Sequence, residues 1–224
     1  MTARIGVVLF PGTNCEQDAI FAMEQLGATA ELLWHGDRSV QGVDAVIVPG
    51  GFAHGDYLRT GAIARFSPVM QAVSEFASEG GPVVGICNGF QVLCEAGLLP
   101  GALQRNAGMK FVCADAAVRV ETIASVLTSG AAVGQVLQIP INHFEGNYVC
   151  SDETLGELRG EDRVVVRYVT NPNGSRDDIA GICNAGRNVV GLMPHPERAS
   201  DALLGSSDGN VLLGSLLDSA AATV

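Results

Sequence analysis

Through the first hundred residues, short unbroken apolar runs rich in β-branched residues alternate with amphipathic stretches. Such alternation builds strand-helix-strand units on a parallel sheet, because strands buried on both faces lose polar alternation while each covering helix keeps one apolar stripe. The run "RIGVVLF" over residues 4–10 predicts a fully buried strand, and "EQDAIFAMEQLG" over residues 16–27 a helix closed by a C-cap glycine. Further strands are predicted at residues 29–34 ("TAELLW") and 44–51 ("DAVIVPGG"). "IARFSPVMQAVSEFASEGG" predicts a helix whose regular part starts near Pro68, since proline is tolerated in a first turn. "PVVGIC" reads as the fourth strand and "NGFQVLCEAG" as the helix that follows it.

After "LLPG" the pattern changes. "KFVCADAAVRVET", "VLQIPINHF", "VVVRYV", "IAGICN" and "NVVGLM" are strand-like runs joined by turn-rich segments such as "NPNGSRDD". They predict extra, partly antiparallel strands covering one flank of the same domain, before a last helix over residues 210–221. The expected architecture is α/β: an open, mostly parallel, flavodoxin-like sheet flanked by helices, with an added, partly antiparallel β-region. No repeat or linker divides the chain, so residues 1–224 are expected to form a single domain.

Composition narrows the partners. A chain of 224 residues that is 47% hydrophobic can bury a sizeable core, and its formal net charge of −11 repels phosphate backbones and anionic bilayers. Nucleic acid and membrane are therefore not expected partners; a small molecule or another protein is favoured. The start has no basic leader with a long apolar region, and no run approaches the ~18 apolar residues of a membrane span, which predicts a cytoplasmic protein. The six cysteines (Cys15, Cys87, Cys94, Cys113, Cys150 and Cys183) include no C-x-x-C pair and no histidine at metal-ligand spacing. That pattern predicts no metal site and free thiols, most of them small core residues.

Three stretches carry candidate chemistry. Gly85-Ile86-Cys87-Asn88-Gly89 has the form G-x-C-x-G at a strand-to-helix junction, the thiol counterpart of a nucleophile elbow. Flanking glycines permit the sharp turn, the following helix N-terminus favours a thiolate, and the Asn88 N–H is placed to meet an oxyanion. "VIVPGGF" puts Gly50 and Gly51 at the carboxyl end of another parallel strand, where such sheets bind ligands. "LMPHPER" supplies His195 as a base and Glu197 as the acid that would fix its tautomer, in a loop stiffened by two prolines. A rival of equal spacing is His143 with Glu145 in "NHFEGN". Spacing alone leaves both pairs open; loop stiffness favours His195. His35 and His54 lie in polar loops and are predicted to be solvated.

Cys87 in "GICNGFQ", the glycines of "PGGF" and the late "HPE" resemble the class I (triad-type) glutamine amidotransferases. Within them the chain is most similar to the small glutaminase subunits of purine biosynthesis, through "FPGTNCEQD", "PGGFAHGDYLRTGAIARF", "GICNGFQVLCEAGLLPGALQRN", "EGNY", "NPNGSRDDIAGICN" and "MPHPERASDALLGSSDG". The resemblance implies a Cys87-His195-Glu197 triad that hydrolyses L-glutamine, oxyanion donors on Gly51 and Asn88, and substrate contacts from Gln91, His143 and Phe144. It gives His143 a binding role in place of a catalytic one.

It also implies a large synthetase subunit that binds ATP, Mg2+ and formylglycinamide ribonucleotide, and a small bridging subunit. No cofactor is expected on this chain: its single lysine, Lys110, belongs to no G-x-x-x-x-G-K-[ST] phosphate loop. Ammonia would pass to the synthetase through an internal channel, with residues 55–66 ("GDYLRTGAIARF") as the candidate docking surface. Two other readings compete: a free-standing cysteine hydrolase of the same fold, and a non-catalytic flavodoxin-like scaffold module.

Overall fold

The computed structural model describes residues 2–222. The first half runs β1 (Arg4–Leu9), α1 (Glu16–Gln25), β2 (Thr29–Trp34), β3 (Ala45–Val48), α2 (Pro68–Ser78), β4 (Val83–Ile86) and α3 (Asn88–Glu95). The second half adds β5 (Ala102–Gln104), β6 (Val112–Val120), β7 (Val136–His143), β8 (Asn147–Val149), α4 (Asp152–Gly160), β9 (Val164–Tyr168), β10 (Ile179–Cys183), β11 (Val189–Leu192) and α5 (Gly209–Ala222). Nine of these strands form one sheet in the order β2-β1-β3-β4-β11-β10-β9-β6-β7, and β5 pairs with β8 in a small separate ribbon.

The first five strands of that order are parallel, and the remaining four run antiparallel to their neighbours. The sequence pattern explains the division. β3, β4, β10 and β11 are buried at every position and sit centrally, whereas β7 alternates buried with more exposed residues, as a strand with one covered face does. Pro68 is the first residue of α2, where its missing N–H costs no helical bond, after a short 3-10 turn at Ala64–Phe66.

Three features depart from the pattern-based expectation. The run "NVVGLM" is β11, a parallel neighbour of β4, so the chain makes its antiparallel excursion and then returns to the parallel sheet. The antiparallel strands extend that sheet at one edge; they do not lie over its flank. α4 was hidden among turn-like polar residues, although its start is marked: Ser151 Oγ accepts from the Thr154 N–H, with Asp152 and Glu153 in the first turn.

α3 is fixed by what it buries. Phe90, Val92 and Leu93 are fully buried, worth about 1.5–3 kcal/mol each by area removed from water, so the helix that carries the elbow cannot shift cheaply. Phe90→Ala would cost about 3–5 kcal/mol through the cavity left behind. The six cysteines are unpaired; Cys15, Cys87 and Cys183 are buried, while Cys113 is exposed and departs from the core role expected of most. Among the described residues no helix is long and apolar enough to cross a membrane.

Candidate active site

Cys87 lies between the end of β4 and the start of α3 with φ 51° and ψ −105°, a conformation that costs an L-residue roughly 1–3 kcal/mol and persists only when neighbours enforce it. The neighbours are identifiable. The Cys87 N–H donates to the Leu192 carbonyl of β11 at 2.8 Å, and Sγ lies 3.7 Å from the Asn142 carbonyl. A Cβ on Gly89 would stand 1.8 Å from the Val48 carbonyl oxygen, and one on Gly85 2.6 Å from Leu93 Cδ1. The glycines on either side of the thiol are therefore required by close approach of β3 and α3, in addition to the turn.

His195 follows β11, and its N–H donates to the Pro140 carbonyl of β7 at 2.9 Å. The turn at Pro196–Arg198 folds the chain back so that Glu197 Oε1 meets His195 Nδ1 at 2.6 Å, with both residues 2% exposed. That contact assigns the proton to Nδ1 and leaves Nε2 for the thiol side. Burial opposes a charge on His195, but the Glu197 carboxylate and then Cys87 outweigh it, and the imidazole pKa lies well above its ordinary value. A nucleophilic thiol needs a neighbouring base to take its proton, and this imidazole lies on the thiol side of the pair.

The rival pair is not assembled. His143, at the end of β7, turns Nδ1 to Asn106 Oδ1 at 3.2 Å, while Glu145 accepts from the Thr60 hydroxyl and faces Arg105 Nε at 3.6 Å. Burial, and secondarily the neighbouring His195, push His143 down to about 4, so it is neutral at physiological pH. Of the two histidines, His195 is thus the one with a carboxylate partner.

A cavity of about 880 Å³ opens over the thiol, and both Cys87 and His195 line it. Gly51 lies on its wall just beyond β3, with φ +140° and packed so closely on Asn14 that a Cβ would stand 2.5 Å from the Asn14 nitrogen. Asn88 begins α3, where the first backbone N–H groups lack intrahelical acceptors. Its side chain accepts from the Ala53 N–H at 3.0 Å and donates to Asp56 at 3.2 Å and to Gln91 Oε1 at 2.9 Å. Gln91 in turn donates to the Glu145 carbonyl, and Phe144 completes that wall beneath the Arg105 guanidinium. All the sequence-predicted site residues except Asn88 and Glu197, which lie just behind the surface, line one cavity.

Several wall residues carried no local signal. Asp56 and Thr60 lie together in residues 55–66, and Arg105 and Arg198 come from two other points of the chain; only "HPER" hinted at Arg198 through adjacency. Burial raises Asp56 to about 6, against its Asn88 hydrogen bond and with Glu145 adding to the rise. His35 and His54 are not solvated as predicted: both are half-buried, with their rings packed edge-on at 5.4 Å. Residues 55–66 form a loop and a 3-10 turn, with Tyr57, Leu58 and Phe66 73%, 86% and 74% exposed.

Residues 2–209 match the family described as the CobB/CobQ-like glutamine amidotransferase domain. Among curated relatives, the phosphoribosylformylglycinamidine synthase subunit PurQ of Rubrobacter xylanophilus is 59% identical, covering 96% of this chain and 97% of its own length. The protein of the same description from Mycobacterium tuberculosis is 58% identical over 97% of this chain and 98% of its own. A chain in the solved structure of PurLQS from Thermotoga maritima superposes with a TM-score of 0.90 at 41% identity, covering 97% of this chain and 99% of that one. The chain therefore belongs to the class I glutamine amidotransferases, in the family of the PurQ subunits of phosphoribosylformylglycinamidine synthase.

Proposed function

We propose that this chain is the glutaminase subunit of a phosphoribosylformylglycinamidine synthase, hydrolysing L-glutamine and passing ammonia to a synthetase in de novo purine biosynthesis. The Cys87 thiolate attacks the side-chain carboxamide carbon, and the oxyanion that forms is held by the backbone N–H groups of Gly51 and Asn88. His195, kept in one tautomer by Glu197, gives its proton to the leaving nitrogen, so that ammonia departs and a glutamyl thioester remains on Cys87. Water, deprotonated by His195, then releases glutamate and the thiolate. Gln91, His143 and Phe144 shape the wall that receives the amino-acid end.

The ammonia acceptor in this reading is formylglycinamide ribonucleotide, which becomes formylglycinamidine ribonucleotide on a large synthetase subunit that carries ATP and Mg2+; a small third subunit bridges the assembly. The names of the relatives and the PurLQS assembly support that partnership. The exposed apolar side chains of residues 55–66, beside the cavity mouth, support this segment as the docking surface. One observation carries the chemistry: a buried imidazole-carboxylate pair at 2.6 Å set against a strained thiol elbow.

The test uses the assembled complex. Cys87→Ala is expected to abolish glutamine-dependent amidation while sparing amidation from added ammonium salt. Loss of both together would make Cys87 structural. Glutamate release by the chain alone is expected to be weak and to rise on adding the synthetase; full turnover without it would support a free-standing hydrolase.

A further inference from the structure

Asn88 is buried at the start of α3, and the contacts of its side chain can be oriented from groups whose polarity is fixed. The Ala53 N–H can only donate, so the Asn88 atom 3.0 Å from it is Oδ1. Nδ2 then faces the other way and spends its two hydrogens on Asp56 Oδ1 at 3.2 Å and Gln91 Oε1 at 2.9 Å. At the far end the Glu145 carbonyl can only accept, which fixes the Gln91 atom beside it as Nε2. Turning Asn88 over would set donor against donor at Ala53 and oxygen against oxygen at Asp56; turning Gln91 over would set oxygen against oxygen at Glu145. Gln91 Nε2 keeps a second hydrogen that no acceptor among the described residues takes, and Gln91 lines the cavity.

Bringing Asp56 to Asn88 requires unusual backbone. His54, Gly55 and Asp56 have φ of 54°, 69° and 51° in succession, and Leu58 follows at 71°. Left-handed backbone is costly for residues other than glycine and persists only where surrounding contacts enforce it. Here those contacts lie on α3. Arg59 pairs with Glu95 through two bonds, at 2.7 and 2.6 Å, and a Cβ on Gly61 would stand 2.9 Å from the Val92 nitrogen. The segment from Ala53 to Gly61 is thus pinned against the helix that follows the thiol, with Asp56 against Asn88.

We propose that Asp56 is a positioning residue for the glutamine site: its carboxylate locks the Asn88 amide, which in turn makes Gln91 present an Nε2–H to a carbonyl or carboxylate oxygen of the substrate. A carboxylate accepts from the amide nitrogen and repels the amide oxygen, so it penalises the turned-over Asn88 twice. Burial raises Asp56 to about 6, and it remains ionised at neutral pH. Asp56 acts through two side chains and does not itself touch the substrate. The role rests on the proposed function in taking glutamine as the ligand.

The test is calorimetric titration of the full chain with L-glutamine in a Cys87→Ala background, where substrate binds without turnover. Asp56→Gly removes the carboxylate while suiting the left-handed backbone, and is expected to weaken glutamine binding roughly 10-fold. Asp56→Asn, whose amide oxygen still accepts from Asn88 Nδ2, is expected to stay within about 3-fold of the parent. With Gln91→Ala added, Asp56→Gly is expected to change affinity by less than about 2-fold, because its route to the substrate is gone. Equal losses in the two Asp56 variants, or an undiminished loss once Gln91 is removed, would overturn the proposal, since Asp56 would then meet the substrate's ammonium group directly. Full affinity in Asp56→Gly overturns it as well. A chain that binds no glutamine defeats the proposed function and this role together; a chain that binds glutamine indifferently to Asp56 defeats this role alone.

Discussion

At the end of β11 the chain reads His195-Pro196-Glu197, and at the end of β7 it reads His143-Phe144-Glu145. Both loops border the same cavity, and both offer an imidazole with a carboxyl group two residues on. In the first, Pro196 opens a 3-10 turn that folds Glu197 onto Nδ1. In the second, Asn106 from a distant loop takes Nδ1, and Glu145 is drawn away by Thr60 and Arg105. The outcome is a histidine held protonated above its ordinary range and another pushed down to about 4. Identical spacing therefore specifies reach only; the acceptor nearest each ring nitrogen decides which pair forms.

The largest effect that tests this contrast is loss of the base. His195→Ala is expected to reduce kcat for glutamate release in the assembled complex by roughly 10²–10⁴-fold. A greater loss from His143→Ala than from His195→Ala would reverse the assignment. Glu197→Gln is expected to cost less, because the imidazole remains, and to leave a signature in pH. Removing the carboxylate lets burial lower the His195 pKa, so the imidazolium is lost earlier as pH rises and the alkaline limb of kcat moves to lower pH. An unmoved limb would mean that Glu197 does not hold that proton.

The two histidines should also tilt stability in opposite directions. Unfolded His143 titrates near 6.5 and the folded residue at about 4, so the unfolded state holds more protons between those values and stability falls as pH drops through that window. His195, with its raised value, contributes stability that is present at low pH and is lost as pH rises through its folded pKa. His143→Gln removes only the first trend. Compared with the parent in urea unfolding, it should lose about 2 kcal/mol less between pH 7 and pH 5. Parallel slopes would show that His143 is not held neutral by burial. The smallest effect belongs to Glu145→Gln, a partly exposed group with a loose arginine partner: a stability change below about 1.5 kcal/mol and kcat within a few-fold of the parent. A drop in kcat as large as that of Glu197→Gln would erase the distinction between the two pairs.

Much of the parallel half was legible because its strands are continuous apolar runs between turn residues, and β1, β2 and β4 fall where the pattern puts them. The placement of β11 was not legible, since nothing in "NVVGLM" tells whether its neighbour is the preceding β10 alone or also β4, which it joins in parallel. β5 and β8 are three-residue strands that pair across more than forty residues, too short for any period to emerge. In the site, residues adjacent to a motif were readable: Cys87 between its glycines, Glu197 beside His195. Residues recruited from afar were not, and Cys15 shows why, since a buried thiol looks like core until Arg198 and His195 are placed against it.

The proposed reaction makes Cys87 the nucleophile and His195 its base. The most direct measurement is to react the protein with an electrophilic glutamine analogue and locate the adduct by peptide mass mapping, in the parent and in His195→Ala. The adduct is predicted on Cys87 alone, formed far more slowly without His195. An adduct on Cys15 or another cysteine, or labelling of Cys87 at the same rate in both proteins, would contradict it.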